Sequence, residues 1–220
     1  PIAIGEPIMR LQGIAINLRM LDFTERHQLR SPVQTGFRPG LSCAHQHLAL
    51  QHFIDQQLQH PDAIRRLLAC CFLDLQGAYD SVFRERMQKA LELLGIHGPM
   101  LDCIMANYAN SRLAVSVAGR HGDFHLSELG VKQGCPLSPT LFGLYVDWLL
   151  DHLKSAVPGV GPKLNDGECV PALAYADDMV LMATSEDDLQ RLIVSSSKSA
   201  VVVFRSARRR KSMPDTPRTW

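Results

Sequence analysis

The chain has 220 residues, 46% of them hydrophobic, which is enough for the core of one large domain or two small ones. Its formal net charge of +1 at pH 7 indicates no particular class of partner. The six cysteines have neither disulfide-like nor zinc-like spacing, and no apolar run reaches the roughly 18 residues of a membrane span. The composition therefore excludes a disulfide scaffold and a membrane-spanning chain, and it is typical of a reducing, intracellular setting.

The first part of the chain is predicted to be mainly helical. Apolar residues at helical spacing predict one helix up to about Asn17 and a second from Leu18 to Leu29. A loop rich in Gly and Pro follows at 34–42. Ser42 is the expected N-cap of the next helix, which Pro61 closes.

An apolar segment at 67–75, LLACCFLDL, predicts a buried strand that ends in Asp74. A helix is expected from about Val82 to Leu94, and Pro99 opens another. These elements place one carboxylate at the end of a strand, directly before a loop.

Two further segments lead to a long helix. Alternating apolar residues predict a hairpin between 113 and 129, and two glycines with two prolines predict a rigid loop at 130–139. Ser138 is the expected cap and Pro139 the first residue of an amphipathic helix, with Asp147 outside its apolar stripe.

Two adjacent carboxylates, Asp177 and Asp178, interrupt an apolar run between Val170 and Ala183. Because such a pair cannot be buried midway along one strand, the run predicts a β-hairpin with both acids at its tip. Two carboxylates about 4 Å apart repel by about 1 kcal/mol in water, and a hard divalent cation reverses the sign of that energy. An ordinary turn is the alternative interpretation.

The C-terminal part begins with Ser185, the expected cap of a helix that extends to about Ser195. Residues 200–204 are mostly β-branched and predict a final strand. Arg and Lys then cluster between 205 and 211, which is typical of a solvated tail and also suits nucleic acid.

The acids at 74 and 177–178 lie far apart in sequence, so only tertiary folding can join them. If their strands are neighbours in one sheet, three carboxylates converge, and such an arrangement is typical of a two-metal site.

Five blocks carry a more specific signal: PIAIG at 1–5, QTGFRPGLS at 34–42, FLDLQGAYDSV at 72–82, GVKQGCPLSP at 130–139 and YADD at 175–178. In this order, the blocks resemble the reverse transcriptases of non-LTR retrotransposons, from the fingers through most of the palm. The resemblance implies an α+β fold whose palm is a small antiparallel sheet backed by the helices Val82–Leu94 and Pro139–Ser155. Partial, mainly helical fingers are expected beside it.

The resemblance divides the chain into partial fingers at 1–66, a palm at 67–204 and a basic tail at 205–220 that is expected to be disordered. Compared with the family, the chain starts just after the arginine that clamps the triphosphate. The end of the palm is shortened, and no thumb or endonuclease domain is expected.

The resemblance also implies catalytic roles. Asp74 and Asp177 would bind two Mg²⁺ ions, with Mn²⁺ as a possible substitute, and Asp178 would complete the acidic cluster. Lys198 aligns with the lysine that protonates pyrophosphate in the family. Arg38 is a candidate template contact, and a solvated arginine is the alternative.

The nucleotide pocket is expected around Tyr79, which aligns with an aromatic steric gate under the sugar. A flat ring there leaves no room for a 2′-hydroxyl and so selects deoxynucleotides, whereas packing at a strand end is the alternative role. Gln133 and Gly134 match the loop beside the nucleotide, because glycine permits close backbone approach and the amide can donate and accept hydrogen bonds.

The functional hypothesis is RNA-directed DNA polymerisation on an RNA template, with a DNA primer and deoxynucleoside triphosphates. A truncated, catalytically inactive remnant that at most binds nucleic acid is the alternative. An RNA-templated RNA polymerase is disfavoured by Tyr79. A functional protein is expected in the nucleus.

Overall fold

The computed structural model describes residues 7–61, 67–75, 77–109, 111–117 and 120–199, without the side chains of 196–199. The helices are α1 (Pro7–Arg26), α2 (Cys43–Leu58), α3 (Arg84–Leu93), α4 (Pro99–Ala106), α5 (Ser138–Ala156) and α6 (Glu186–Ser199). The strands are β1 (Ala69–Asp74), β2 (Arg112–Leu113), β3 (Ser116–Val117), β4 (Arg120–His121), β5 (His125–Leu126), β6 (Ala172–Tyr175) and β7 (Asp178–Ala183). The predicted strand at 200–204, the block at 1–5 and the basic tail lie outside the described residues.

A three-stranded antiparallel sheet with the order β1-β7-β6 forms the centre of the fold. The hairpin of β6 and β7 adds to β1 in a register that runs from Ala69 opposite Ala183 to Asp74 opposite Asp178. The predicted strand and hairpin are therefore confirmed. The prediction of a buried first strand is wrong in part, because β1 lies at the sheet edge and Phe72 is 67% exposed.

Buried apolar side chains cover both faces of the sheet. The larger core joins one face to α1, α3, α4, α5 and α6. The smaller core joins the other face to α2 through Phe53, which packs with Val170, Leu173, Val180 and Met182. The α+β class is confirmed, and α3 and α5 are the two helices expected behind the sheet.

Helix α1 is one continuous helix of 20 residues, so the predicted division near Leu18 is wrong. The sequence has no proline there, and the buried residues Ile16, Met20 and Thr24 follow one another at four-residue spacing. A single helical face can therefore pack against the core without a break.

The start of α5 differs by one residue from the prediction. Leu137 is the N-cap, and Ser138 is already within the helix and fully buried, with its hydroxyl 3.4 Å from that of Tyr108. Proline remains in the first turn as expected, since its missing N–H is not needed there.

Asp147 of α5 is buried, whereas the sequence pattern suggested a position outside the apolar stripe. Its Oδ2 accepts a hydrogen bond from Arg30 Nε at 2.5 Å, and both side chains are almost fully buried. A charge can enter the core here only because the partner charge enters with it.

The remaining elements follow the predictions more loosely. The hairpin after α4 consists of two short exposed ladders, β2 with β5 and β3 with β4. Ser185 caps α6 as expected, because its Oγ accepts the backbone N–H of Asp188 at 3.1 Å, but the helix extends to Ser199.

Among the described helices, none combines the length and the apolar composition needed to cross a membrane.

Candidate active-site cleft

The antiparallel register brings the predicted acids to one end of the sheet. Asp74, the last residue of β1, lies directly opposite Asp178, the first residue of β7. Residues paired in this way have their Cα atoms about 5 Å apart and their side chains on the same face. Asp177 precedes Asp178 in the tight turn between β6 and β7.

A cleft of about 770 Å³ opens beside this end of the sheet. Its lining residues are Asp74, Leu75, Gly77, Ala78, Tyr79, Gln133, Gly134, Cys135, Pro136, Pro139 and Asp177. Five predicted site residues thus share one cavity although they come from three separate segments. Asp178 is exposed and does not line it.

Two loops, joined by backbone hydrogen bonds, together form one wall of the cleft. The N–H of Val131 donates to Tyr79 O at 2.8 Å, and the N–H of Gly130 donates to Val82 O at 2.9 Å. Gly130 has φ +80°, and a Cβ there would lie 2.8 Å from Asp80 Cα. Only glycine suits this approach, which sets the position of the segment that carries Gln133 and Gly134.

Gln133 extends from this wall, where its amide Nε2 donates to Asp80 Oδ2 at 3.4 Å. The contact joins Asp80, which precedes α3, to the loop that carries Gln133.

Arg84 of α3 binds the backbone of the segment 127–130, a role that no sequence pattern predicted. Its guanidinium donates to the backbone oxygens of Gly130 and Leu129 at 2.9 Å each, and also to Ser127 O. It also lies 5.2 Å from the centre of the Tyr108 ring. One side chain thereby satisfies several loop carbonyls that would otherwise depend on water.

Tyr79 lies between two other aromatic rings. It stacks on Phe142 of α5 with ring centres 5.0 Å apart and planes 13° apart, and it meets Phe37 edge-on at 6.4 Å. Burial, followed by the negative charge of Asp177, raises the pKa of Tyr79 to about 12. The phenol is therefore neutral at physiological pH, and its ring orientation is fixed by packing that the sequence did not reveal.

Among the described residues, the acids at this end of the sheet lack a partner of positive charge. Within the described part of the chain, no Lys or Arg forms an ion pair with Asp74, Asp177 or Asp178. No group of three His, Cys, Asp or Glu side chains among the described residues is arranged to hold a metal ion. The predicted three-acid site therefore stays a prediction.

The two acids that share the cleft nevertheless suit magnesium. Mg²⁺ keeps several waters and is usually bound through one or two carboxylates together with substrate phosphates. The unpaired oxygens of Asp74 and Asp177 match that chemistry, since the phosphates of a nucleotide would complete the coordination.

The guanidinium of Arg38 forms its hydrogen bonds within the protein. Its Nε and Nη2 donate to the two carboxylate oxygens of Glu25 at 2.8 and 2.7 Å, and Nη1 donates to the carbonyls of Ser31 and Gln34. The side chain is 14% exposed, so the alternative of a solvated arginine is wrong. A template contact by Arg38 stays a prediction.

Lys198 lies within α6 near its end, and its side chain is outside the described residues. Its predicted role as a general acid therefore also stays a prediction.

Comparison with known families gives one match over most of the chain. Residues 6–205 match the family described as "Reverse transcriptase (RNA-dependent DNA polymerase)".

Curated relatives are retrotransposon proteins. A Pol polyprotein of the type-1 retrotransposable element R2 from Popillia japonica is 30% identical over 187 residues, 84% of this chain and 25% of that protein. The R2DM polyprotein of Drosophila melanogaster is 32% identical over 162 residues, 74% of this chain and 15% of that protein. The chain thus spans a quarter or less of the length of these relatives.

Solved structures show the same fold at low sequence identity. Telomerase from Candida albicans, in complex with a TWJ fragment of telomeric RNA, has a TM-score of 0.62 and 11% identity, covering 90% of this chain and 34% of that one. Apo telomerase from Candida tropicalis has a TM-score of 0.58 and 14% identity, covering 93% and 42%. The fold is therefore the α+β fold of polymerases, and with the match over residues 6–205 the chain belongs to the reverse transcriptase family, as a domain of the non-LTR retrotransposon type.

Proposed function

We propose that this domain catalyses RNA-templated DNA synthesis by adding deoxynucleotides to a primer 3′-hydroxyl. The observation that carries the proposal is that Asp74 and Asp177 line one cleft together with Tyr79. Asp74 and Asp177 come from distant segments, and neither carboxylate is buried in the core. Family membership supports the same reaction.

The reaction is an in-line attack on the α-phosphorus, in which the protein mainly positions groups and neutralises charge. Asp74 and Asp177 are the residues that would hold two Mg²⁺ or Mn²⁺ ions, with Asp178 adding negative charge from the adjacent strand position. When bound, such ions lower the pKa of the primer hydroxyl and neutralise the leaving pyrophosphate. Lys198 is the proposed proton donor to that pyrophosphate.

In this proposal, Tyr79 selects the deoxyribose form of the incoming nucleotide. Its ring, held in place by the stack on Phe142, faces the cleft as a flat barrier that a 2′-hydroxyl would meet. Gln133 and Gly134 line the same cleft, where an amide and a bare backbone can contact the base and the template.

In this reading residues 67–204 are the palm, residues 1–66 are partial fingers, and the partners are an RNA template and a DNA primer. The proposed place of action is the nucleus, where a retrotransposon meets its genomic target.

Primer extension by the purified chain on an RNA template with Mg²⁺ tests the proposal. Asp177→Asn should abolish extension, because it removes a ligand charge from the cleft without a large change in side-chain volume. Asp102→Asn, at an exposed acid of α4, is the matched control and should extend normally. Extension that survives Asp177→Asn would refute the assigned site.

A second outcome separates the alternative function. If the unaltered chain extends no primer but binds RNA with an affinity that falls steeply with salt, it is a non-catalytic nucleic-acid-binding remnant. Equal incorporation of ribonucleotides and deoxynucleotides would contradict the role of Tyr79.

A further inference from the structure

Gln34 is a fully buried polar residue whose side chain contacts the turn that carries the active-site acids. Its amide Nε2 donates to Ala176 O at 3.1 Å, and its Oε1 accepts the N–H of Ala176 at 3.0 Å. The same Oε1 accepts the N–H of Gly36 at 2.8 Å. One side chain therefore satisfies both backbone groups of the residue directly before Asp177.

Ala176 needs such support because its φ is +57°, in the left-handed region. A residue with a Cβ pays about 1–2 kcal/mol for this conformation, so it persists only where the surroundings hold it. Two hydrogen bonds from a rigid, buried amide fix the orientation of the peptide units on either side of Ala176. The second of these units leads into Asp177.

The backbone beside Gln34 approaches the same turn closely. The N–H of Thr35 donates to Ala174 O at 3.1 Å, and the N–H of Ala174 donates to Val33 O at 2.8 Å, so this segment runs along β6. A Cβ on Gly36 would lie 2.2 Å from the backbone nitrogen of Ala176. The segment 33–36 thus packs closely against the turn. Within this segment, Gln34 has the one side chain that hydrogen-bonds to Ala176.

We propose that Gln34 is a positioning residue of the active site, whose amide sets the direction in which Asp177 enters the cleft. The proposal rests on the proposed function, in which Asp177 holds a metal ion. Loss of the amide would let Ala176 relax to a negative φ, which reorients the following peptide unit. Asp177 would then no longer be aligned with Asp74.

Gln46 of α2 provides a matched control. Its Nε2 also makes two hydrogen bonds to backbone oxygens, to Val33 O at 2.9 Å and to Ala174 O at 3.0 Å. It joins the same two segments as Gln34 but does not bond to the turn. Gln34→Met and Gln46→Met therefore each remove a glutamine amide with little change in side-chain volume. Only Gln34→Met removes the hydrogen bonds to Ala176.

The experiment compares these variants in three measurements on the full chain. Amide hydrogen exchange of Ala176 should be faster in Gln34→Met than in the unaltered protein and in Gln46→Met. Mn²⁺ affinity, measured by electron paramagnetic resonance without turnover, should fall by about 10-fold or more, the usual effect of losing support for a metal ligand. In primer extension kcat should fall by a similar factor, with KM for the nucleotide within about threefold.

Gln34→Glu keeps the variant set informative if Gln34→Met does not fold. Its buried carboxyl has no partner charge, so at low pH it is protonated and donates to Ala176 O as the amide does. When it ionises at higher pH it loses that donor, so its Mn²⁺ affinity relative to that of the unaltered protein should fall as pH rises. A merely structural role would give Gln34→Met and Gln46→Met equal activity at equal folded fraction.

The outcomes distinguish this proposal from the proposed function. Unchanged exchange at Ala176, or faster exchange with Mn²⁺ affinity and kcat matching those of Gln46→Met, would overturn the role of Gln34. An inactive unaltered chain would overturn the proposed function, while hydrogen exchange and Mn²⁺ binding would still decide whether Gln34 orients Asp177.

Discussion

The fold places its acidic residues in two opposite environments, a buried ion pair and an open cleft. Asp147 is enclosed in the core with the guanidinium of Arg30 at 2.5 Å. Asp74 and Asp177 line an open cleft, and no Lys or Arg of the described residues pairs with them. One carboxylate thus has a partner of opposite charge within the protein, whereas the other two lack one among the described residues and are open to a cation from outside.

The degree of burial determines the electrostatic free-energy cost of the ion pair and of the cleft acids. Desolvation raises the pKa of Asp147 to about 6, and the attraction of Arg30 only partly opposes it. Three polar atoms of this pair, Arg30 Nη1 and Nη2 and Asp147 Oδ1, have no hydrogen-bond partner. The cleft acids avoid that penalty through exposure to water, but they repel one another instead. In this protein, an acid without an ion-pair partner in the cleft therefore indicates function better than a buried acid that has one.

The largest expected effect is on catalysis at the cleft. Asp74→Asn should reduce primer extension by about 10³-fold or more, because a metal ligand supplies several kcal/mol of transition-state stabilisation. Urea unfolding should show unchanged or slightly higher stability, since one charge leaves a cluster of like charges. A large loss of stability in Asp74→Asn would instead make this acid a structural residue like Asp147 and break the comparison.

The converse effect is expected in the core. Arg30→Met should lower the free energy of unfolding by about 3 kcal/mol at pH 7, because it leaves a buried carboxylate without its partner. The measurement is urea unfolding across pH 4 to 8.

The pH dependence of this loss has a definite sign. The folded-state pKa of Asp147 lies above its ordinary value, so the folded state binds more protons between about pH 4 and 6 and stability falls as pH rises through that range. Without Arg30 the pKa rises further and the fall continues to higher pH. The difference between the variant and the unaltered protein should thus be small at pH 4 and largest at pH 8.

The exposed ion pair of Arg26 with Asp22 provides the control. Its side chains are 70% and 62% exposed, so Arg26→Met should change stability by no more than about 0.5 kcal/mol at any of these pH values. A loss of stability in Arg30→Met that stays the same from pH 4 to 8 would show that Arg30 acts through its packing rather than its charge.

The sequence predicted the elements that depend on local patterns. The hairpin of β6 and β7 was predictable because apolar runs flank two acids, and α5 was predictable because apolar residues recur at helical spacing. The family blocks then predicted which acids would meet. Their convergence depends on the pairing of β1 with β7, which no local pattern reveals.

The supporting contacts could not be predicted, because in each of them a side chain bonds to a residue far away in the sequence. Gln34 and Ala176 are 142 positions apart, and Arg30 and Asp147 are 117 apart. A glutamine in a loop and an aspartate on a helix look solvated in sequence. Only the fold shows that each is buried against a partner.

Phe142 lies where the core meets the cleft, so it tests whether packing alone can affect chemistry. Phe142→Leu should cost about 1 kcal/mol of stability and leave Tyr79 without its stacking partner. The preference for deoxynucleotides over ribonucleotides should fall by about tenfold, a difference of about 1.4 kcal/mol. Competing incorporation of the two nucleotides measures it.

Phe53→Leu is the matched control for Phe142→Leu, because Phe53 is 3% exposed in the smaller core on the other face. It should show a similar loss of stability and normal sugar selection. Equal selection in the two variants would mean that the orientation of Tyr79 does not depend on the stack.

The smallest effect is expected at Arg38, an arginine whose partner is an acid near the surface. The hydrogen bond from Arg38 lowers the pKa of Glu25 below its ordinary value. The folded state therefore binds fewer protons than the unfolded state, and the stability from this pair is present above about pH 4.5 and lost as pH falls below it. This sign is opposite to that for Asp147.

Arg38→Met should accordingly cost about 1 kcal/mol at pH 7 and much less near pH 3, measured by urea unfolding. Because the guanidinium is occupied by Glu25, the salt dependence of RNA binding should keep the same slope in Arg38→Met. A slope reduced by about one would show that Arg38 exchanges Glu25 for a template phosphate. In that case even a charge that the fold has paired would be available to the nucleic acid, and the absence of an ion partner would no longer be the feature that separates functional charges from structural ones.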